Sequence, residues 1–197
     1  MITRTNMPED RANLAGPVRR VHSAHPSGIH GLAAVFLDRD GVLNRDLDYV
    51  HSSNRFEPVP GAAEAIAWLN ATGRKVVFVT NQAGIARGYY SEEQFVVFTR
   101  WIEGWLAARG ALIEATYYCP HHPTAGTGSY LLACGCRKPQ PGMILAGLAD
   151  FALDPAQCFL VGDQPTDIAA AEAAGIPGHL FDHGNLLDFV RRLVGTG

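Results

Sequence analysis

Ala33-Ala34-Val35-Phe36-Leu37-Asp38-Arg39-Asp40-Gly41-Val42 is the stretch on which the fold turns. Its apolar run reads as a strand buried on both faces, the pattern of a parallel sheet covered by helices on each side. Two aspartates follow at the carboxyl end, where open α/β sheets place their ligands. Gly41 permits the tight turn that aims both side chains at one point. Carboxylates so crowded are costly unless a cation sits between them or one keeps its proton. The stretch therefore points to metal-assisted phosphoryl transfer.

Working outward, apolar runs alternate with helical patterns from residue 31 onward, which predicts crossover helices around a mainly parallel sheet. Expected strands are Ala33–Asp38, Lys75–Thr80, Ala115–Cys119, Cys158–Asp163 and Gly178–Phe181. Expected helices are Gly61–Asn70, Ser91–Ala108, Pro141–Ala152, Thr166–Ala174 and Asn185–Val194. Ser91 and Gln94 stand at capping-box spacing. Phe95, Phe98, Ile102, Trp105 and Leu106 share one helix face, a core stripe rather than a cofactor box. The fold class is thus α/β, a Rossmann-like three-layer sandwich. No gap between strands has room for a large cap domain, so short loops shape the pocket. Residues 1–30 carry Pro8, Pro17 and Pro26 and no periodicity, and read as a flexible N-terminal arm on a domain spanning 31–197, with an arm packed on the domain or on a neighbouring subunit as the lesser reading.

The chain has 197 residues and a formal net charge of −3, so it has the size of a single domain and no basic footprint for nucleic acid. No apolar stretch approaches the roughly 20 residues that span a bilayer, and no secretory signal is evident. The expectation is a cytoplasmic monomer acting on a small molecule. Only Lys75 and Lys138 are lysines, against fourteen arginines, so a lysine inside a motif stands out.

Polar residues gather at the other strand ends as well. Thr80-Asn81-Gln82 follows one strand, Arg137-Lys138-Pro139 precedes a helix, and Gly162-Asp163-Gln164-Pro165-Thr166-Asp167 follows another strand. Parallel strands bring these ends to one edge. There each type has a use. Asp38 and Asp163 can hold Mg²⁺, which prefers one or two carboxylates with phosphate oxygens and water. A carboxylate can attack phosphorus, and a second can protonate the leaving oxygen. Thr80 and Asn81 can bond phosphoryl oxygens, and Lys138 can offset developing negative charge. Any one of these alone is ordinary turn chemistry or a surface charge. Their recurrence at successive strand ends is not.

Cys119-Pro120-His121-His122 and Cys134-Gly135-Cys136 form a second constellation. Three thiolates and an imidazole suit a closed tetrahedral Zn²⁺ site, structural rather than catalytic. A clamp at its base would stabilise a loop rich in Gly, Pro and Ser. His121 is preferred over His122, because Cys-x-His then mirrors Cys-x-Cys. Cys158 reads as a buried core thiol. Arg137 and Lys138 directly follow the last sulfur, so the metal loop would aim both cations.

These motifs resemble those of haloacid dehalogenase-like phosphatases: Asp38-Arg39-Asp40-Gly41, Thr80-Asn81-Gln82, Cys136-Arg137-Lys138-Pro139 and Gly162-Asp163-x-x-x-Asp167. The resemblance covers about residues 33 to 176. With its sulfur loop the chain is similar to the branch that holds histidinol and heptose bisphosphate phosphatases, and Asn81–Gly88 and Cys119–Pro123 look more like the heptose enzymes. The resemblance implies a Mg²⁺-dependent release of the 7-phosphate of a heptose 1,7-bisphosphate, a lipopolysaccharide precursor, through an aspartyl-phosphate. Histidinol phosphate is the alternative. It further implies Asp38 as nucleophile, Asp40 as general acid/base with its carbonyl toward Mg²⁺, and Asp163 as a metal carboxylate. Thr80, Asn81 and Lys138 would hold the phosphoryl group and Arg137 the substrate. The bacterial heptose enzymes often carry lysine where this chain has Gln164, which puts substrate affinity or anomer preference in question. A bisphosphate also needs a second anion site, for which Arg87 and Arg137 are the candidates. A receiver-type phosphoacceptor would share the sheet, aspartates, Thr and Lys, but needs no sulfur clamp. A zinc-stabilised interaction domain would leave the strand-end carboxylates unexplained.

Overall fold

A computed structural model of the protein describes residues 18–195. Six strands form one sheet: β1 (Arg19–His22), β2 (Ala34–Leu37), β3 (Lys75–Asn81), β4 (Ala115–Cys119), β5 (Phe159–Gly162) and β6 (Gly178–Leu180). Their spatial order is β1-β4-β3-β2-β5-β6. All neighbours pair in parallel except β1 with β4. The helices are α1 (Ala62–Ala71), α2 (Ala83–Ala86), α3 (Glu92–Ala107), α4 (Gly142–Asp150), α5 (Pro165–Ala174) and α6 (Leu186–Gly195).

Strand periodicity builds the three layers. Along β2, Val35 and Leu37 face one side and pack with residues of α1, α3 and α6. Ala34 and Phe36 face the other side and pack with residues of α4 and α5. Successive side chains alternate across a sheet, so this all-buried strand feeds both cores. α4 lies close to the sheet at Gly147, where an added Cβ would come 2.7 Å from Phe36 Cε1. Ser91 caps α3: its side chain accepts from the Gln94 N–H while the Gln94 side chain accepts from the Ser91 N–H. Strand β2 has parallel neighbours on both sides, and the chain proceeds from it first toward β3 and only later to β5. Asp38 therefore leaves the sheet at a topological switch point, where a crevice opens. Among the described residues no helix is long and apolar enough to cross a membrane.

The arm expected over residues 1–30 needs correction from residue 18 onward; residues 1–17 lie outside the described part. β1 pairs antiparallel with β4, Val21 opposite Thr116. Val21 is buried against a cluster with Ile85, Tyr90, Phe95 and Tyr118. Further on, the Ser27 hydroxyl and N–H both bond Glu114, and the Ala24 N–H donates to Glu103. Partners this distant in sequence leave no periodic trace in a strand of four residues with one buried side chain. β3 also runs one residue further than expected, to Asn81, and α2 is a single turn not anticipated from the pattern.

Candidate active site

Lys138 stands at the centre of the strand-end cluster. Its Nζ lies 2.9 Å from Asp38 Oδ1 and 2.5 Å from Asp167 Oδ1, and it donates to the Val79 carbonyl at 2.8 Å. The ammonium is thus ion-paired with two carboxylates and hydrogen-bonded to one carbonyl. Lys138, Asp38 and Asp167 are all buried. Burial alone would lower the lysine, but Asp38 and Asp167 outweigh it and hold Lys138 above its ordinary range. Burial pushes Asp38 up to about 8, with Lys138 opposing and Asp167 and Asp40 adding to the rise. The hydrogen bonds to Asp38 fall on Oδ1, which also accepts from the Arg39 N–H at 2.7 Å.

One oxygen each from Asp38, Asp163 and Asp167 lies within 4.8 Å of the others. Asp163 Oδ1 is buried with no hydrogen-bond partner, while its Oδ2 accepts from Gln164 Nε2 at 2.9 Å. Three carboxyl groups around one ammonium carry, once ionised, more negative charge than it can offset. An all-oxygen donor set, an orphaned carboxylate oxygen and that excess fit a hard divalent cation such as Mg²⁺. Gly41 is required here twice over. Its φ is +88°, and an added Cβ would sit 2.2 Å from Asp163 Oδ2.

Asp40 is held from several sides. Its Oδ1 accepts from Asn44 Nδ2 at 3.0 Å and from Arg39 Nη2 at 2.9 Å. Its Oδ2 accepts from Arg39 Nη2 at 2.7 Å and from Gln82 Nε2 at 3.1 Å. Arg39 itself is buried, packed near the Phe95 and Phe98 rings and bonded to the Val50 carbonyl. Gln82 also donates to Thr80 Oγ1 at 2.8 Å and accepts from Tyr90 at 2.6 Å. Because Thr80 Oγ1 accepts that bond, its own proton is left to donate.

These groups face a cleft of about 260 Å³. Asp38, Asp40, Thr80, Asn81, Lys138, Asp163 and Gln164 line it, and Asp46 and Asp48, beside Tyr49, make one wall acidic. Arg87 and Arg137 do not line it. Arg87 is exposed at the end of α2, and Arg137 is half-buried and donates to the His121 carbonyl at 3.3 Å. Both stand near His122, whose ring burial, then Arg137 and Arg87, holds below its ordinary range.

The second cluster is closed. Cys119, His121, Cys134 and Cys136 are all buried, with donor atoms within 4.8 Å of one another. Neighbouring separations run from 3.1 Å for Cys134–Cys136 to 3.7 Å for Cys119–His121 Nδ1. A tetrahedral zinc with bonds of about 2.1–2.3 Å sets its ligands at such spacings. Hydrogen bonding among the sulfurs and burial push the Cys119 thiol up, while bonds from Cys119 and Cys136 pull Cys134 down. Three clustered thiols and an imidazole suit a soft cation that displaces the thiol protons. His122 is turned elsewhere: its Nδ1 accepts from the Thr124 and Ala125 N–H groups. Cys158 is apart from the sulfur cluster, buried one residue before β5.

A haloacid dehalogenase-like hydrolase family model matches residues 35–94, and a HAD-hydrolase-like model matches residues 135–187. A Pasteurella multocida protein named D-glycero-beta-D-manno-heptose-1,7-bisphosphate 7-phosphatase is 49% identical over 143 residues, 73% of this chain and 77% of that one. The chain belongs to the haloacid dehalogenase-like hydrolases. A Burkholderia mallei relative, named as the alpha-anomer enzyme, is 48% identical over 73% of this chain and 76% of its own. Among solved structures, D,D-heptose 1,7-bisphosphate phosphatase from B. bronchiseptica, complexed with magnesium and phosphate, superposes with a TM-score of 0.69. It is 35% identical and the match covers 84% of this chain and 87% of that one.

Arg39, Asn44, Gln82, Tyr90 and Asp167 are the residues of this hydrolase site to which sequence reasoning gave no role. For Asp167 the signal was its place in the fourth motif. For Arg39 it was a charge inside a strand-to-loop turn that two buried aromatic rings accommodate.

Proposed function

We propose that this hydrolase is a Mg²⁺-dependent phosphomonoesterase that removes the 7-phosphate of D-glycero-D-manno-heptose 1,7-bisphosphate. The observation that carries the reading is Asp38, at the floor of the cleft, paired at 2.9 Å with a buried lysine beside two further carboxylates. The names of the relatives support the sugar. Asp38 attacks phosphorus through Oδ2, the oxygen that neither Lys138 nor the Arg39 N–H engages, and forms the aspartyl-phosphate. Asp40, its orientation set by Arg39, Asn44 and Gln82, delivers the proton to the leaving oxygen and then takes one from water. Lys138 and the Thr80 hydroxyl stabilise charge on the phosphoryl oxygens. Asp38, Asp163 and the Asp40 carbonyl would hold Mg²⁺, which when bound would offset the repulsion between a carboxylate and a phosphate dianion. Cys119, His121, Cys134 and Cys136 would hold Zn²⁺, which would keep the loop before Lys138 in place. On this reading the enzyme acts as a monomer in the reducing cytoplasm, where the three cluster cysteines would stay available to zinc.

Arg87 and Arg137, outside the cleft lining, would take the substrate's other phosphate at the rim, and Gln164 would contact the sugar phosphate beside Asp163. Asp46 and Asp48 in the cleft wall favour a second reading, because an acidic wall suits the amine of histidinol phosphate as well as sugar hydroxyls. The deciding experiment measures phosphate release, with Mg²⁺, from both anomers of the heptose bisphosphate and from histidinol phosphate, with Asp38→Asn as control. Selective turnover of one heptose anomer is expected. Preference for histidinol phosphate would keep the chemistry and overturn the substrate.

A further inference from the structure

We propose that Asn81 is a positioning residue, whose amide fixes the backbone of Lys138 and so the ammonium, instead of serving as a phosphoryl ligand. Asn81 Nδ2 donates to the Lys138 carbonyl at 3.1 Å, and Asn81 Oδ1 accepts from the Lys138 N–H at 3.0 Å. A primary amide facing a peptide group in this way closes a ring of two opposed hydrogen bonds, which sets direction as well as distance. The bonds join residues 57 positions apart.

Lys138 needs such a fixture. It lies in no helix or strand, between the sulfur cluster and α4. A lysine stem has four rotatable carbons and many rotamers, yet Nζ must meet Asp38, Asp167 and the Val79 carbonyl together. Val79 stands two residues before Asn81 on the same strand. β3 therefore holds the lysine at both ends, the ammonium through Val79 and the backbone through Asn81. The sulfur cluster holds it from a third direction, because Cys136 is two residues before it. Thr80, by contrast, keeps its hydroxyl proton for the cleft. The inference takes the importance of Lys138 from the proposed function, but its test reads the lysine without substrate or turnover.

The chain contains just two lysines, Lys75 and Lys138. Protein carrying ¹³C at lysine Cε gives signals from those two alone, and Lys75, at the start of β3, serves as the internal control. In substrate-free Asn81→Ala the Lys138 signal is expected to shift or broaden while that of Lys75 stays. Affinity for inorganic phosphate in the presence of Mg²⁺ is expected to fall roughly tenfold, the loss that follows when buried hydrogen bonds that order a charge are removed. In a Lys138→Met background the same substitution is expected to weaken phosphate no further, since the two residues then act as one unit. An unmoved Lys138 signal overturns the proposal: with weaker phosphate binding, Asn81 is a direct ligand, and with unchanged binding it is neither. A full additional loss in the Lys138→Met background overturns it equally. Asn81→Ser supplies the same readings if the alanine variant does not fold.

Discussion

The sulfur cluster, at the end of β4, and the carboxylate cluster, past the ends of β2 and β5, belong to different strands and differ in nearly everything else. The first has four buried donors, each already close to its neighbours, with all four positions of a tetrahedron taken by protein. The second has three donors around a lysine, one carboxylate oxygen without a partner, and an open cleft above it. A closed set can only hold shape; an open one can exchange ligands and do chemistry. The link between them is short, since Cys136 and Lys138 are separated by Arg137 alone.

The comparison breaks most sharply at Asp38. Asp38→Asn is expected to lower phosphate release by roughly ten-thousandfold, the scale of losing a covalent nucleophile. Its zinc content and its melting temperature, within about 3 °C, should match wild type. A variant that lost its zinc as well would join the two clusters into one. Removing Mg²⁺ with EDTA is the next largest effect: turnover should drop by roughly a thousandfold. It should return in full on adding Mg²⁺ alone, with zinc retained throughout as read by metal analysis.

Cys134→Ser attacks the other side. Elemental analysis should find less than one zinc per chain, and melting should fall by roughly 10 °C, as expected when a structural metal is lost. Activity should fall with it through Lys138, and excess Mg²⁺ should not restore it. The smallest effect is expected at Gln82→Leu, which keeps the ligands of both clusters and removes bonds to Asp40, Thr80 and Tyr90. It should reduce kcat by roughly tenfold with little change in KM, because the acid is misplaced while the phosphate still binds. A change confined to KM would mean that Gln82 serves the substrate instead.

Much of this contrast could be read from the chain before its fold. The continuous run of β2, the acidic pair after it and the Cys-x-His and Cys-x-Cys spacings are local patterns, and each strand pattern found its place in the sheet. What escaped is tertiary. Asn81 looks like a phosphoryl ligand by position, and only the approach of Lys138 reveals where its amide is committed. Arg39 looks like a spacer between two aspartates, and only the fold reveals its burial against Phe95 and Phe98, made tolerable by its bonds to Asp40 and the Val50 carbonyl. Arg87 and Arg137 had the right charge near the right motif, yet side-chain direction at a loop has no periodicity from which to infer it. β1 escaped because its evidence lies in β4, about a hundred positions later.

That last strand has a practical consequence. β4 reads Ala-Thr-Tyr-Tyr-Cys, five buried residues with strong preference for extended backbone and no charge to discourage a neighbour. β1 lies along its outer edge and presents Arg19, Arg20 and His22, exposed, in its place. A chain shortened to begin at residue 31 would strip that cover and leave a row of unsatisfied amides and carbonyls beside aromatic side chains. Such a boundary invites strand-to-strand self-association and precipitation, whereas one drawn at residue 18 keeps the edge sealed.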